Sequence, residues 1–175
     1  MRLFKYAAFP GLCLALVLQA CSNTPMAPSA TVDYDHTYDF SHVHKIAIQP
    51  IAKDTVATML ISDQLISRIN EALIAELQRR GFAVVTENAD ADMFLSWKFI
   101  PRDSATESTF DPATQKIVQG TLYVNMIDPL VLQSKWRATF QSDLRDQPGS
   151  EDAARYRQEA AAAILARFPP GVTTP

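Results

Sequence analysis

Apolar and polar residues alternate with period two in several short stretches of this chain and with a period near four in one longer stretch. Between Thr31 and Phe40, Val32, Tyr34, His36 and Tyr38 fall on one side and Asp33, Asp35, Thr37 and Asp39 on the other, the signature of a half-buried strand. Lys45 to Ile51 reads as a second strand, ended by Pro50. From about Thr58 to Arg80 the period changes. Ile61, Leu65, Ile69, Leu73 and Leu77 recur every four residues, flanked by Ile66 and Ala72, which predicts an amphipathic helix. Arg79 and Arg80 suit the negative end of its dipole, and Gly81 stands where a left-handed C′ residue is needed.

Phe82 to Thr86 follows as a strand, so the region 45–86 forms a β-α-β unit with parallel strands. Asp92 to Pro101 alternates Met93, Leu95, Trp97 and Phe99 against Phe94, Ser96, Lys98 and Ile100, and Ser104 to Thr109 is a further short strand candidate. Lys116 to Ile127 places Leu122, Val124 and Met126 on one face, and Asp128-Pro129 begins a turn. In the next strand Ser134, Trp136, Ala138 and Phe140 point inward, Lys135, Arg137 and Thr139 outward, before a polar loop over Gln141–Ser150. Glu151 to Phe168 is Ala-rich, begins acidic and is stopped by Pro169-Pro170, so it forms the second helix. The expected fold is α+β: a mixed, mostly antiparallel sheet of six to seven strands with two helices packed on one face. The first helix is expected to bury Leu65, Ile69, Leu73 and Leu77, and the last Ala161, Ile164, Leu165 and Phe168.

The N-terminus changes the picture. Arg2 and Lys5 precede an apolar run over Ala7–Ala20 that is too short to span a bilayer, where roughly 18 to 20 residues are needed. Leu18-Gln19-Ala20-Cys21 then has the form of a lipoprotein signal, although Gln19 replaces the usual small residue. Residues 1–20 read as a signal peptide, Cys21 as the lipidated (palmitate-bearing) residue, 21–30 as anchor and flexible tether, 31–170 as one periplasmic domain and 171–175 as a tail. Ser22, in place of an inner-membrane retention Asp, points to outer-membrane sorting, with inner-membrane anchoring left open. Loss of Arg2 and Lys5 with the leader leaves fourteen basic against nineteen acidic side chains, about −5. That charge argues against nucleic acid as a partner. Cys13 leaves with the signal and Cys21 is acylated, so the mature domain has no disulfide and relies on its apolar core.

Val32-Asp33-Tyr34-Asp35 followed by Asp39-Phe40-Ser41, Gly120-Thr121-Leu122 leading to Asp128, Trp136-Arg137, and a terminal Phe168-Pro169-Pro170 occur in that order after the lipidation motif. Together they resemble the bacterial lipoprotein family called domain of unknown function 4136, over roughly Val32 to Pro170. Ala138 departs from the Gly that commonly follows Trp-Arg in the family, and the Asp128 turn lacks the usual Thr-Gly pair. The resemblance implies fold and location. It carries no catalytic residue.

His36, His42 and His44, with Asp33, Asp35 and Asp39 nearby, are the candidate metal ligands, but they do not share one strand face, and no metal site is expected. Asp90 and Asp92 flank Ala91 in an ordinary loop, while Asp103, Glu107 and Asp111 are spread along their segment. No G-x-S-x-G or phosphate-cradling glycine loop occurs, so neither an enzymatic activity nor a cofactor is expected. Trp97 and Trp136 read as core, Arg137 as a solvated sheet residue. One feature does point outward. Leu130, Val131 and Leu132 follow Pro129 at the turn, placing large apolar side chains where polar residues and glycine are usual, a candidate partner contact. The alternative is that the strand starts early and Leu132 joins the core. The leading expectation is a non-enzymatic binding or scaffolding module of the cell envelope, held to the membrane by its N-terminal lipid and meeting an envelope protein. The competing reading is an accessory lipoprotein holding a small ligand or metal between sheet and loops.

Overall fold

Ser62 opens the first helix by accepting the Leu65 N–H on its hydroxyl at 3.2 Å, satisfying one of the donors that a helix start leaves free. In the computed structural model, which describes residues 29–51, 61–101, 118–144 and 151–170, this helix (α1) spans Asp63–Arg79. The expected start near Thr58 and the strand at Ser104–Thr109 lie outside the described residues. At the other end Arg80 is the C-cap and Gly81 takes φ +92°. The Gly81 N–H donates to Gln78 O and the Phe82 N–H to Leu77 O, both at 3.0 Å. These are the two bonds of a Schellman ending, and Gly81 carries it without a Cβ penalty.

The strands are β1 (Ala30–Tyr34), β2 (Lys45–Ile48), β3 (Ala83–Val85), β4 (Met93–Pro101), β5 (Val118–Asp128) and β6 (Gln133–Leu144), and the second helix, α2, is Glu151–Leu165. They form one open mixed sheet in the order β1-β6-β5-β4-β2-β3. β2 pairs in parallel with β3 and β4, as the β-α-β reading requires, and the other neighbours are antiparallel.

One face of this sheet carries the core. Met93, Leu95, Trp97 and Phe99 of β4, Leu122, Val124 and Met126 of β5, and Trp136, Ala138 and Phe140 of β6 are buried in one cluster with both helices. α1 contributes Leu65, Ile69, Leu73 and Leu77, and α2 contributes Ala160, Ala161, Ile164 and Leu165. Each fully buried large aliphatic side chain contributes about 1.5–3 kcal/mol. Gly120 explains part of its motif: a Cβ there would collide with the Phe99 ring and the Ile100 carbonyl across the β4–β5 ladder.

Phe168 lies past α2, which stops at Leu165 rather than continuing to 168. Its buried ring meets Phe40, Phe82 and Trp136 at centroid distances of 6.1, 5.3 and 5.3 Å. The same corner holds Glu76, a buried carboxylate that accepts from Arg79 at 2.6 Å and 2.7 Å and from Arg80 at 2.9 Å. Arg80 also donates to Phe168 O at 3.0 Å, tying α1 to the chain beyond α2. Burial pushes the Glu76 carboxyl up, but the two guanidinium groups outweigh it and hold the group below its ordinary value.

Three local expectations fail, each for a physical reason. β1 ends at Tyr34 instead of running to Phe40, because Asp35 Oδ1 accepts the Thr37 N–H at 2.9 Å and its hydroxyl at 2.6 Å, closing an Asx turn. A 3₁₀ turn over Phe40–His42 follows. β6 continues through residues 141–144, expected as loop, because β5 extends to Val118 and supplies a ladder partner. Ser134 is exposed rather than inward, because the β5–β6 register shifts at Met126/Ile127, where Met126 faces Trp136 and Ile127 faces Ser134. Lys135 is the extra residue of this bulge.

Candidate functional site

The β5–β6 hairpin ends in a four-residue turn, Pro129 to Leu132, built on Asp128. The Asp128 carboxylate accepts the Leu130 N–H at 2.7 Å, and the Asp128 carbonyl accepts the Leu132 N–H at 2.8 Å. Closing the turn puts Leu132 at φ +54°, the left-handed region that glycine and asparagine usually fill. Leu130, Val131 and Leu132 are 91%, 54% and 72% exposed. The strand therefore does not start early, and Leu132 does not join the core. Ile100 is also a large apolar side chain that is exposed, and it lies toward the far end of β4.

Carboxylates surround the base of this tip, and backbone N–H groups hold each of them. Asp39 accepts from Ser41 N at 2.9 Å, and Asp92 accepts from His44 N and Lys45 N at 2.9 and 2.8 Å. The Thr37 hydroxyl and N–H, then Lys135 at 3.0 Å, bring the Asp35 carboxyl down to about 2. The Ser41 N–H and hydroxyl lower that of Asp39. For Asp92, burial raises the value, but the His44 and Lys45 amides win and leave it lowered. Tyr38 sits among these groups. Its phenol is pushed up by burial, by the charge and hydrogen bond of Asp128, and by Asp92 and Asp39. Lys135 reaches over the Tyr38 ring at 5.5 Å, and Tyr38 Oη lies 3.2 Å from His42 Nε2.

The histidines are not brought together. His36 stacks beside Tyr34 at 4.2 Å between ring centroids, His42 meets Tyr38, and His44 uses its backbone N–H on Asp92. Among the described residues no group of three His, Cys, Asp or Glu is arranged to hold a metal ion. Trp97 and Trp136 are buried: Trp97 Nε1 donates to Asn70 at 2.7 Å, whereas Trp136 Nε1 has no hydrogen-bond acceptor. Arg137 is exposed and donates to Asn125 at 2.7 Å. Asp33, Asp35, Lys135 and Arg137 line a polar, open groove of about 130 Å³ at the bulge. Clefts that bury a small organic ligand usually hold about 300 Å³ or more. Cys21, Ser22, Asp103, Glu107 and Asp111 lie outside the described residues.

The acidic ring was readable in part. Asp-His-Thr at 35–37 and Asp-Phe-Ser at 39–41 both offer an Asp to an N–H two residues on, the spacing of an Asx turn. The role of Asp92 on the amides of residues 44 and 45 was not, since it crosses from one strand start to another.

The family model for Domain of unknown function (DUF4136) matches residues 30–170, the span of this whole sheet-and-helix unit. The chain belongs to the DUF4136 family. Its fold is similar to that of the PelC dodecamer from Paraburkholderia phytofirmans, at 15% identity and a TM-score of 0.50, covering 78% of this chain and 96% of that one. A PDZ domain protein from Parabacteroides distasonis matches at 15% identity and a TM-score of 0.51, over 84% of this chain but 36% of the other, so this chain spans about a third of that protein. A DUF4136 family protein from Bacteroides thetaiotaomicron aligns at 11% identity and a TM-score of 0.49, over 81% and 94% of the two chains. No curated protein matches the chain. Among the described residues of this DUF4136 protein no helix is long and apolar enough to cross a membrane.

Proposed function

We propose that this DUF4136 protein is a lipid-anchored component of the bacterial envelope whose periplasmic domain binds or scaffolds another protein through its hairpin tip, without catalysis. The observation that carries this reading is the exposure of Leu130, Val131 and Leu132 on a turn that strains its own backbone to present them. Apolar side chains of this size in contiguous exposure mark contact sites far more often than scattered single ones do. The polar groove at the bulge is too small and open to favour the small-ligand reading. Location rests on the leader: Cys21 is the acylated residue, and Ser22 directs the protein to the outer membrane. More than one acyl chain gives stable anchoring where a single chain is marginal.

Two experiments test this. Cys21→Ser abolishes palmitate labelling and releases the protein from membranes, and Ser22→Asp moves it to the inner membrane in a density gradient. Unchanged labelling or an unchanged gradient position contradicts the corresponding part. Val131→Asp keeps the fold, with stability within about 1 kcal/mol as for other surface changes, and loses the protein's crosslinks in cells. A variant that unfolds places Val131 in the core and ends the docking reading. The fold relative PelC was solved as a dodecamer, so a crosslink at twice the mass of this chain identifies the second copy as the partner.

A further inference from the structure

From the ring of carboxylates around the hairpin tip we infer the chemistry of its partner: a protein with an apolar socket bordered by lysine or arginine side chains. The inference deepens the docking reading above and rests on it. Leu130 and Leu132 offer two aliphatic side chains with most of their surface free, enough to fill a socket. Behind them stand Asp128, Asp39, Asp92 and Asp35, each fixed by at least one backbone N–H between 2.7 and 2.9 Å. Two lysines stand among them, Lys135, engaged by Asp35 at 3.0 Å, and Lys45, whose charge acts on Asp92, so four carboxylates against two ammonium groups leave the ring net negative. Charges held this way need no rearrangement on binding, and a basic rim complements them while steering the encounter.

The same charges disfavour the other occupants. A bilayer surface rich in anionic lipid repels four carboxylates that approach together with the tip. β1 begins at Ala30 opposite Phe140, so the chain joins the sheet roughly 20–25 Å along β6 from the turn. A second copy would have to offer an apolar socket with a basic border. At the exposed apolar residue toward the far end of β4, Ile100, the nearby Lys98 ammonium lies over the Tyr123 ring at 5.3 Å.

The test uses the full chain in cells, with a photo-activated benzophenone amino acid at position 130 and, as control, at position 100. The expected result is one protein adduct from position 130, whose crosslinked peptide lines an apolar pocket with Lys or Arg beside it. With that protein purified, raising salt from about 0.05 to 0.5 M weakens binding roughly tenfold, since exposed charges are screened over that range. Asp39→Asn with Asp128→Asn keeps the carbonyl oxygens that accept from Ser41 and Leu130, and it weakens binding several-fold at low salt. An adduct whose binding ignores both salt and these substitutions overturns the basic-rim inference and leaves the docking reading standing. An adduct with a second copy, or with lipid alone, overturns it in favour of that occupant. No adduct at position 130 overturns both.

Discussion

Among the described residues two places turn the backbone into the left-handed region, and they use opposite residues to do it. At the end of α1 the residue is Gly81, at φ +92°, and it sends the chain into a corner where Phe82, Phe168 and Trp136 pack and Glu76 is held by two arginines. At the β5–β6 hairpin the residue is Leu132, at φ +54°, and it sends three apolar side chains into solvent. The first corner serves the fold, with the buried Trp136 Nε1 the one polar atom there left without an acceptor among the described residues. The second accepts backbone strain of about 1–2 kcal/mol and exposed apolar area, neither of which the fold needs. Strain of that kind gathers where a site has a use beyond stability.

The contrast is broken most strongly at the packed corner. Phe168→Ala removes a fully buried ring from between three aromatic partners and lowers stability by about 3–5 kcal/mol, read from chemical denaturation. Loss of under 1 kcal/mol shows that the corner is not part of the core.

Glu76→Gln comes next. It leaves two guanidinium groups without their counter-charge and costs about 1–3 kcal/mol at neutral pH. The folded carboxyl sits below its ordinary value, so its contribution is complete above the unfolded value near 4.5 and fades as pH falls through the lower folded value. Wild type and variant therefore converge in urea midpoint as pH falls below 4.5 and through that lower folded value. A gap that stays constant from pH 7 to pH 3 means that the ion pair is not its source.

Gly81→Ala isolates the backbone. A Cβ at position 81 meets nothing within 4 Å, so the loss of about 1 kcal/mol reflects φ alone. An unchanged melting temperature contradicts the left-handed assignment.

Much of the packed region was legible in the sequence, and the tip less so. The four-residue period of Leu65, Ile69, Leu73 and Leu77 is a property of one helix, and all four are buried as the pattern requires. Gly81 followed from the same local logic. The β1 alternation continues in the sequence to Tyr38, yet the strand stops at Tyr34, because Asp35 offers its backbone an Asx turn instead of a ladder. At the tip two readings of Leu132 stood open, exposed beside Leu130 and Val131 or inward at the start of the strand. A bulge and a left-handed residue both displace the period-two register, and neither leaves a glycine or asparagine to announce itself. The carboxylate ring draws on residues from three separate segments, so its members could be seen singly but not as a group.

The most direct measurement of whether the leucine at the turn is kept for contact is the Leu132→Gly variant, assayed for stability and for crosslinking in the same cells. Replacing leucine with the residue this backbone prefers raises stability by about 0.5–1 kcal/mol. If the tip is the docking surface, that more stable protein loses several-fold in crosslinked partner, in spite of its better-formed turn. A variant that gains stability and keeps its full crosslink yield contradicts the account, because the strained leucine then has no use that the glycine lacks.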